Sequence, residues 1–184
     1  MNKTPARGHL LVALPTLLDP NFRRTVVLIC EHGPEGSMGL VVNRPLEVEV
    51  SQLVLEEFPI LTGTGKLFSG GPVGKDSLVI LRRGPGAPEG HPILHDVHLA
   101  QDFELFRDAE SLGEDEDIRC FSGYAGWGAD QLETELKSGA WELLDGDSTL
   151  VFDADPTVLW NEMIRRIGGP WSVYADMAPD PSMN

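Results

Sequence analysis

Two serines stand where a nucleophile could be placed, each at the end of a predicted strand and directly before glycine. Ser69 lies within Phe68–Gly71, and Ser122 lies within Phe121–Tyr124. A serine in this position can be activated by a nearby base, with backbone N–H groups at hand to stabilise an oxyanion. The Gly-x-Ser-x-Gly elbow is absent around both serines, and the sequence ties no histidine to either. Each hydroxyl could instead have a structural role and bond a turn amide. A hydrolase that uses Ser69 or Ser122 is therefore kept as the alternative hypothesis.

The same glycine-rich strand ends, taken together with Asn43-Arg44-Pro45, predict a site for an anion. Successive backbone N–H groups in such turns can form an anion-binding concavity, and an arginine held near extended geometry by Pro45 adds the charge. The aromatic side chains that follow would supply an apolar wall. The predicted ligand-binding residues are Asn43, Arg44, Ser69, Gly70, Gly71, Ser122, Tyr124 and Trp127.

A purely structural interpretation competes with this site. The glycines would then only permit tight turns, and the aromatic residues would fill the core. Arg44 would still need a partner, because it follows an apolar strand. The candidates are an internal carboxylate, Asp130 or Glu133, and an external anion above the Gly70-Gly71 turn.

No metal or cofactor site is predicted. His91, His95 and His98 are close in sequence, but Ile93–Ala100 alternates like a strand, which sends His95 and His98 to opposite faces. The two cysteines belong to no Cys-x-x-Cys pair and are interpreted as buried thiols of a reducing cytoplasm. The Gly-Lys pairs of the chain lack the other residues of a P-loop, and no dinucleotide fingerprint is present.

The stretch Phe121–Trp141 is predicted to organise the chain that positions these residues. Three glycines surround two aromatic residues over Gly123–Gly128, which favours a strand end and a turn with at least one positive φ. Asp130 and Glu133 then predict a capping box at the start of a short helix, and Gly139 predicts its left-handed end. We expect Trp127 to be largely buried.

Elsewhere, short apolar runs bounded by turn residues predict more strands than helices, which indicates an α+β fold rather than a regular βαβ array. Asp155, followed by proline, predicts the start of a last helix buried through Val158, Leu159, Met163, Ile164 and Ile167. The predicted strands are Leu10–Leu14, Thr25–Cys30, Met38–Val42, Lys66–Ser69, Leu78–Leu81, Ile93–Ala100, Ile118–Phe121, and a hairpin of Trp141–Leu144 with Thr149–Phe152. The predicted helices further include Val50–Phe58 and Asp102–Ser111, with a Gly/Pro-rich excursion at Arg83–His91 and an acidic loop at Gly113–Asp117.

Composition describes a globular chain with an acidic surface. The 184 residues suit one domain, residues 1–184, with a disordered tail from about residue 179. No apolar run is long enough for a membrane span, and the short apolar run near the N-terminus is interpreted as a strand rather than a signal peptide. The formal net charge of −15 disfavours non-specific nucleic-acid binding.

Several blocks of the sequence resemble the YqgE/AlgH family of bacterial proteins. They are LLVALP with the following DPNF and RTVVLICEH, then EGSMGLVVNRPL, SGGPV at Ser69–Val73, and GYAGW with the following QLE at Gly123–Glu133. The resemblance covers nearly the whole chain, in the family's order, although Leu81–Asp117 does not follow the family pattern. It implies an α+β domain with a barrel-like, mixed but mostly antiparallel sheet flanked by helices. It implies no established activity, since members are described as uncharacterised or as candidate transcriptional regulators.

These observations favour a non-catalytic cytoplasmic module that has a regulatory or binding role. Its partner would be an anionic small molecule, a peptide or a partner protein. The absence of an evident set of acid, base and nucleophile supports this class over the hydrolase. Direct DNA binding is the weaker third possibility, because no helix-turn-helix pattern is present.

Overall fold

Three apolar stretches near the N-terminus form an antiparallel meander. They are β1 (His9–Ala13), β2 (Val26–Gly33) and β3 (Gly36–Val41). Leu28 of β2 pairs with Leu10 on one side and with Leu40 on the other. The sequence predicts all three strands, because apolar and β-branched side chains suit a sheet that is covered on both faces.

The computed structural model describes residues 4–49, 66–84, 92–100 and 117–177. Several sequence predictions lie outside these ranges: the helices Val50–Phe58 and Asp102–Ser111, most of the Gly/Pro-rich excursion, the acidic loop before Asp117, His91, and the tail from residue 179.

Strand β9 (Asp117–Gly128) joins the two halves of the sheet. Its last four residues pair with β3, and its first half pairs with β6 (Val73–Arg83) on one edge and with β5 (Lys66–Ser69) on the other. The glycine-rich segment is therefore part of a strand, and the turn predicted there is wrong. The strand accommodates it through an irregularity: the register with β6 shifts beside Gly123, whose φ is +68°. The predicted positive φ is confirmed at this glycine.

The other strands of the described ranges extend this sheet. They are β4 (Pro45–Glu49), β7 (Pro92–Leu94), β8 (Val97–Leu99) and β10 (Trp141–Asp145). The order is β10-β1-β2-β3-β9-β6-β8-β7, with β4 paired to β5 beside it. The single strand predicted over Ile93–Ala100 is in fact a hairpin, with His95 and Asp96 in its turn. The sheet is a curled, mostly antiparallel half-barrel, and the predicted α+β class is confirmed.

Helices cover both faces of the sheet. They are α1 (Gln131–Lys137), α2 (Ser148–Phe152), α3 (Pro156–Ile167) and a 3-10 helix at Gly169–Asp176. The Asp155 carboxylate accepts a hydrogen bond from the Thr157 N–H and so starts α3 as predicted. The strand predicted over Thr149–Phe152 is wrong, because the Asp147 carboxylate accepts the Thr149 N–H and starts α2 there instead.

The capping box predicted for α1 is also wrong. Asp130 directly precedes the helix, but its φ is +58° and its side chain makes no capping hydrogen bond. The Gln131 side chain accepts the Gly128 N–H at 3.0 Å, and the Glu133 carboxylate contacts His32. The helix end is as predicted, since Gly139 has a φ of +75°.

The described residues form three hydrophobic clusters. The first core packs the sheet against α2 and α3 and includes Leu28, Phe121 and Met163. The second core packs the opposite face against α1 and includes Trp127 and Leu132. A smaller cluster includes Leu67, Ile80 and Cys120. Alternate residues of one strand enter different cores, which is why the strands are apolar throughout.

The buried face of α3 differs from its prediction at two positions. Val158 is 42% exposed rather than buried, whereas Trp160 is buried and donates its indole N–H to the Ala13 carbonyl at 2.8 Å. None of the helices in the described ranges has the length and apolar character needed to span a bilayer.

Candidate functional site

The structure brings together five of the eight predicted site residues where β5 runs parallel to β9. Ser69 pairs with Ser122, and the Gly70 N–H donates to the Ser122 carbonyl at 2.9 Å. Gly71 lies against the backbone of Tyr124. The Ser122 hydroxyl donates to the Lys75 carbonyl at 2.6 Å. The described polar groups of this cluster therefore hold strands together, and the described hydrogen bonds link no histidine to either serine.

Asn43 and Arg44 adjoin this cluster through the backbone, since the Ser69 N–H donates to the Arg44 carbonyl at 2.9 Å. Their side chains turn the other way, toward the loop between β1 and β2. The Asn43 amide bonds the Val26 N–H and the Arg24 carbonyl at 2.8 and 3.0 Å.

The Arg44 guanidinium donates to three backbone carbonyls of that loop, at distances of 2.6 to 3.2 Å: those of Pro20, Asn21 and Arg23. Burial lowers the pKa of Arg44, and the charge of nearby Arg23 adds to this effect. The partner is thus internal, but it is neither Asp130 nor Glu133, so the carboxylate predicted for it is wrong. Arg44 holds the loop in place.

Tyr124 and Trp127 do not form one wall. Tyr124 packs against the first core and Trp127 lies in the second, because residues three apart on a strand face opposite sides. Trp127 is 5% exposed, as predicted, and stacks on Phe22 with ring centroids 6.0 Å apart. Its indole N–H donates to the Glu135 carboxylate at 3.0 Å.

A serine that the sequence analysis did not select does contact a histidine. Ser37 and His32 are opposite each other on β3 and β2, and the Ser37 Oγ lies 2.8 Å from the His32 Nδ1. The His32 Nε2 lies 3.5 Å from a Glu133 carboxylate oxygen. The residue types are those of a Ser-His-Glu triad. Ser37 is only 9% exposed, however, so this chain of contacts first of all ties the β2–β3 hairpin to α1.

A cavity of about 320 Å³ opens at the other end of β9. Alternation along β9 places Asp117, Arg119 and Phe121 on one face of the sheet, and Arg83 of β6 is opposite Asp117. The walls of this cavity come from β5, β9, the end of α2 and the start of α3. The lining residues are Phe68, Arg83, Asp117, Ile118, Arg119, Phe152, Asp153 and Pro156.

Arg83 clamps two carboxylates at the rim of this cavity. Its Nη1 and Nη2 groups donate to the two Asp153 oxygens at 2.7 and 2.6 Å, and its Nε donates to Asp117 at 2.9 Å. The hydrogen bond from Arg83 lowers the pKa of Asp153. The hydrogen bonds to Asp153 and Asp117 in turn raise the pKa of Arg83. Both aspartates are about half exposed, at 52% and 56%, so their negative charges face solvent and the cavity.

Within the described part of the chain, Arg83 makes ion pairs and Arg119 makes none. The Arg119 Cζ lies 4.4 Å from the Phe68 ring centroid and 5.7 Å from that of Phe152, so two aromatic rings lie near the guanidinium. Its Nη2 donates to the Phe152 carbonyl at 3.1 Å. Burial lowers the pKa of Arg119 to about 10, against the opposing effect of Asp153. A half-buried cation in this position is stabilised by an anion placed beside it.

A larger cavity of about 660 Å³ lies between α1 and β10. Its charged lining residues are Glu133, Glu142 and Lys137, so the wall carries more negative than positive charge. It suits an anion less well than the cavity beside Arg119 does.

One pattern in the sequence indicates the Arg119 cavity but was not interpreted as part of a site. Asp117, Arg119 and Phe121 alternate with Ile118 and Cys120, which is the pattern of a strand with charged residues at one end. The prediction placed Asp117 in an acidic loop and so missed its pairing with Arg83.

Among the described residues, no group of three or more His, Cys, Asp or Glu side chains is arranged to hold a metal ion. His95 lies in the turn between β7 and β8, and His98 lies on β8. Cys30 and Cys120 are buried thiols, as predicted, and burial raises the pKa of Cys30.

Comparison with known proteins agrees with this fold. A UPF0301 protein of Streptomyces coelicolor is 41% identical over 188 residues, covering 96% of this chain and 94% of that protein. The crystal structure of protein DIP2367 from Corynebacterium diphtheriae superposes with a TM-score of 0.78 at 25% identity, covering 96% of this chain and 95% of the other. The solution structure of the AlgH protein from Pseudomonas aeruginosa, a UPF0301 protein, superposes with a TM-score of 0.70 at 29% identity, covering 98% and 100%. A family model described as AlgH-like matches residues 10–172. The chain therefore belongs to the AlgH-like, UPF0301 family.

Proposed function

We propose that this chain is a non-catalytic binding module of the cytoplasm, and that its site is the cavity beside Arg119. The ligand class is a small anionic molecule. The observation that carries the proposal is the position of the Arg119 guanidinium, which lies near two phenylalanine rings while both nearby carboxylates are bound by Arg83.

The rigid elements around the cavity support this proposal. Arg119 extends from the long strand that joins the two halves of the sheet, and Pro156 at the start of α3 lines the wall, so the positive end of that helix lies there. A rigid strand and two packed rings hold the guanidinium in place before any ligand arrives. Pre-organisation of this kind reduces the entropy lost on binding.

Composition and the buried thiols support the location and the choice of ligand. A net charge of −15 repels phosphate backbones, so a regulatory role would act through a small ligand or a partner rather than through non-specific nucleic-acid binding. Buried Cys30 and Cys120 suit a reducing compartment.

The test is calorimetric titration of the protein with sodium benzoate and with phenyl phosphate, repeated on Arg119→Met. We expect wild type to bind at least one of these anions and Arg119→Met to lose that binding. Arg165→Met is the matched control, because Arg165 pairs with Asp176 on the surface, away from the cavity. Amide chemical shifts on wild type locate the site independently of any variant, and we expect the changes at Ile118 and Phe152. An absence of binding to wild type, or equal binding by Arg119→Met, would contradict the proposal.

A second candidate function is acyl hydrolysis at Ser37, which the contacts of Ser37 with His32 and of His32 with Glu133 favour. The low exposure of Ser37 weighs against it. A fluorophosphonate probe tests it: labelling of wild type that disappears in Ser37→Ala supports the hydrolase, and unlabelled wild type excludes this serine. The same labelling reports on Ser69 and Ser122 through mass spectrometry of the modified peptide.

A further inference from the structure

The charges around the Arg119 cavity limit how much negative charge a ligand can carry. The cavity is lined by two arginines and two aspartates, so these four groups together are formally neutral. One negative charge on a ligand is balanced locally by Arg119. A second negative charge would lie beside Asp117 and Asp153, where the described lining residues offer no further cation to offset it, and like charges at short range repel.

The surroundings of Arg119 limit the shape of the charged group. All N–H groups of its guanidinium lie in one plane, so an anion binds along the edge of that plane, beside the Phe68 and Phe152 rings. A planar carboxylate can bond two N–H groups along such an edge. A tetrahedral phosphate has further oxygens outside that plane, and the two phenyl rings offer them no hydrogen-bond donors.

The rest of the lining limits the body of the ligand. Pro156 and the two phenylalanine rings supply apolar side chains to the lining. The volume of about 320 Å³ is near the lower end of small-molecule pockets, roughly 300–1,000 Å³. An apolar or aromatic body of small size fits this space.

We infer that the Arg119 cavity selects a small monocarboxylate with an apolar body over phosphate esters and other dianions. This inference rests on the proposed function and adds the ligand class to it. Arg119 binds the carboxylate, the apolar walls bind the body, and the two aspartates held by Arg83 exclude a second negative charge.

The test compares four probes that differ in the charged group, in the apolar body or in the number of negative charges. Benzoate has the charge and the body, acetate has the charge without the body, benzyl alcohol has a similar body without the charge, and phenyl phosphate carries close to two charges at pH 7.5, since the second pKa of a phosphate ester is about 6. We expect benzoate to bind wild type at least tenfold more tightly than each of the other three. If phenyl phosphate binds as tightly as benzoate, the inference fails while the proposed anion site stands. If no charged probe binds wild type, the proposed function itself fails.

Two further arms test the reason for the selectivity. At pH 5 phenyl phosphate is mainly a monoanion, whereas Asp153 stays ionised because Arg83 lowers its pKa, so we expect the preference for benzoate to shrink at least threefold. Asp153→Asn removes one negative charge from the rim with little change in shape, and it should likewise raise the affinity for phenyl phosphate relative to benzoate at pH 7.5. A preference that is unchanged in both arms would overturn the charge argument.

Discussion

In the second core, one carboxylate of α1 connects the aromatic side chains of two strands. The Glu135 carboxylate accepts the indole N–H groups of Trp127 and Trp141 at 3.0 and 2.8 Å, and it also accepts the Gln131 amide at 2.9 Å. Phe22, from the loop between β1 and β2, packs on both indoles. One carboxylate on α1 thereby satisfies two buried donors from two strands, and the aromatic residues around it exclude water.

Trp127→Ala should therefore strongly destabilise the protein. A buried large aromatic side chain leaves a cavity when it is truncated, and the expected loss is about 3–5 kcal/mol of unfolding free energy. Urea unfolding followed by circular dichroism measures it. Trp171→Ala is the control, because Trp171 is only partly buried at the edge of the first core. A loss near zero for Trp127→Ala would show that this packing contributes little.

Arg44→Ala should also destabilise the protein, for a different reason. Three backbone carbonyls lose their charged donor, and hydrogen bonds to charged groups contribute about 1.5–3 kcal/mol when shielded and less near solvent. We expect a loss of about 1–3 kcal/mol, with Arg44→Lys in between because an ammonium group cannot span three carbonyls as a guanidinium does. Arg166→Ala, at an exposed position of α3, is the control. The role as a loop tie fails if Arg44→Ala melts like wild type and phosphate or sulfate stabilises wild type alone.

At the scale of elements, the strands of the N-terminal meander could be predicted from sequence and the course of β9 could not. Apolar β-branched runs have few alternatives to a buried strand. Three glycines within six residues are locally typical of a turn, and pairing with the neighbouring strands β3 and β6 keeps this segment extended. The Arg119 cavity was missed for the same reason, because Arg83 and Asp153 are 70 residues apart in sequence and meet only through the sheet and α2.

Substitutions at two glycines can distinguish the cost of backbone strain from the cost of a steric clash. A Cβ at Gly71 would lie 2.2 Å from the Tyr124 carbonyl carbon, whereas Gly139 has a φ of +75° but no atom within 4 Å of a Cβ. Gly139→Ala should lose about 1–2 kcal/mol through backbone strain alone. Gly71→Ala should lose more, because β9 must also move away from the turn that follows β5. Denaturant unfolding of both variants measures the difference, and equal losses would show that the backbone contact at Gly71 relaxes freely.

At the scale of the whole molecule, the ion pair at the rim of the cavity affects how the unfolding free energy depends on pH. Arg83 lowers the pKa of Asp153 below the ordinary value of 3.8. A carboxylate with a lowered folded-state pKa contributes stability that is present above its unfolded pKa and is lost as the pH falls through the folded one. We therefore expect the unfolding free energy of wild type to fall more steeply below about pH 4 than that of Asp153→Asn.

Arg83→Met provides the second half of this comparison. Without the guanidinium, Asp153 loses the cause of its lowered pKa, so the acid dependence of Arg83→Met should no longer change when Asp153→Asn is added. Thermal unfolding between about pH 2 and 5 measures all four proteins. Parallel curves for wild type and Asp153→Asn would contradict the role given to this ion pair.

The central place of β9 has a consequence for the order in which the sheet can be completed on the ribosome. The meander β1–β2–β3 can form early, but the edge of β3 that β9 covers stays open until the chain has grown from residue 41 past residue 128. At about 5–20 residues per second this interval is on the order of 4–17 s. An apolar strand edge left open for that time invites association with other chains, so we expect nascent chains of intermediate length to depend on a holding chaperone and to become protease-resistant only after β9 has emerged. Limited proteolysis of arrested nascent chains that end before and after β9 would measure the transition.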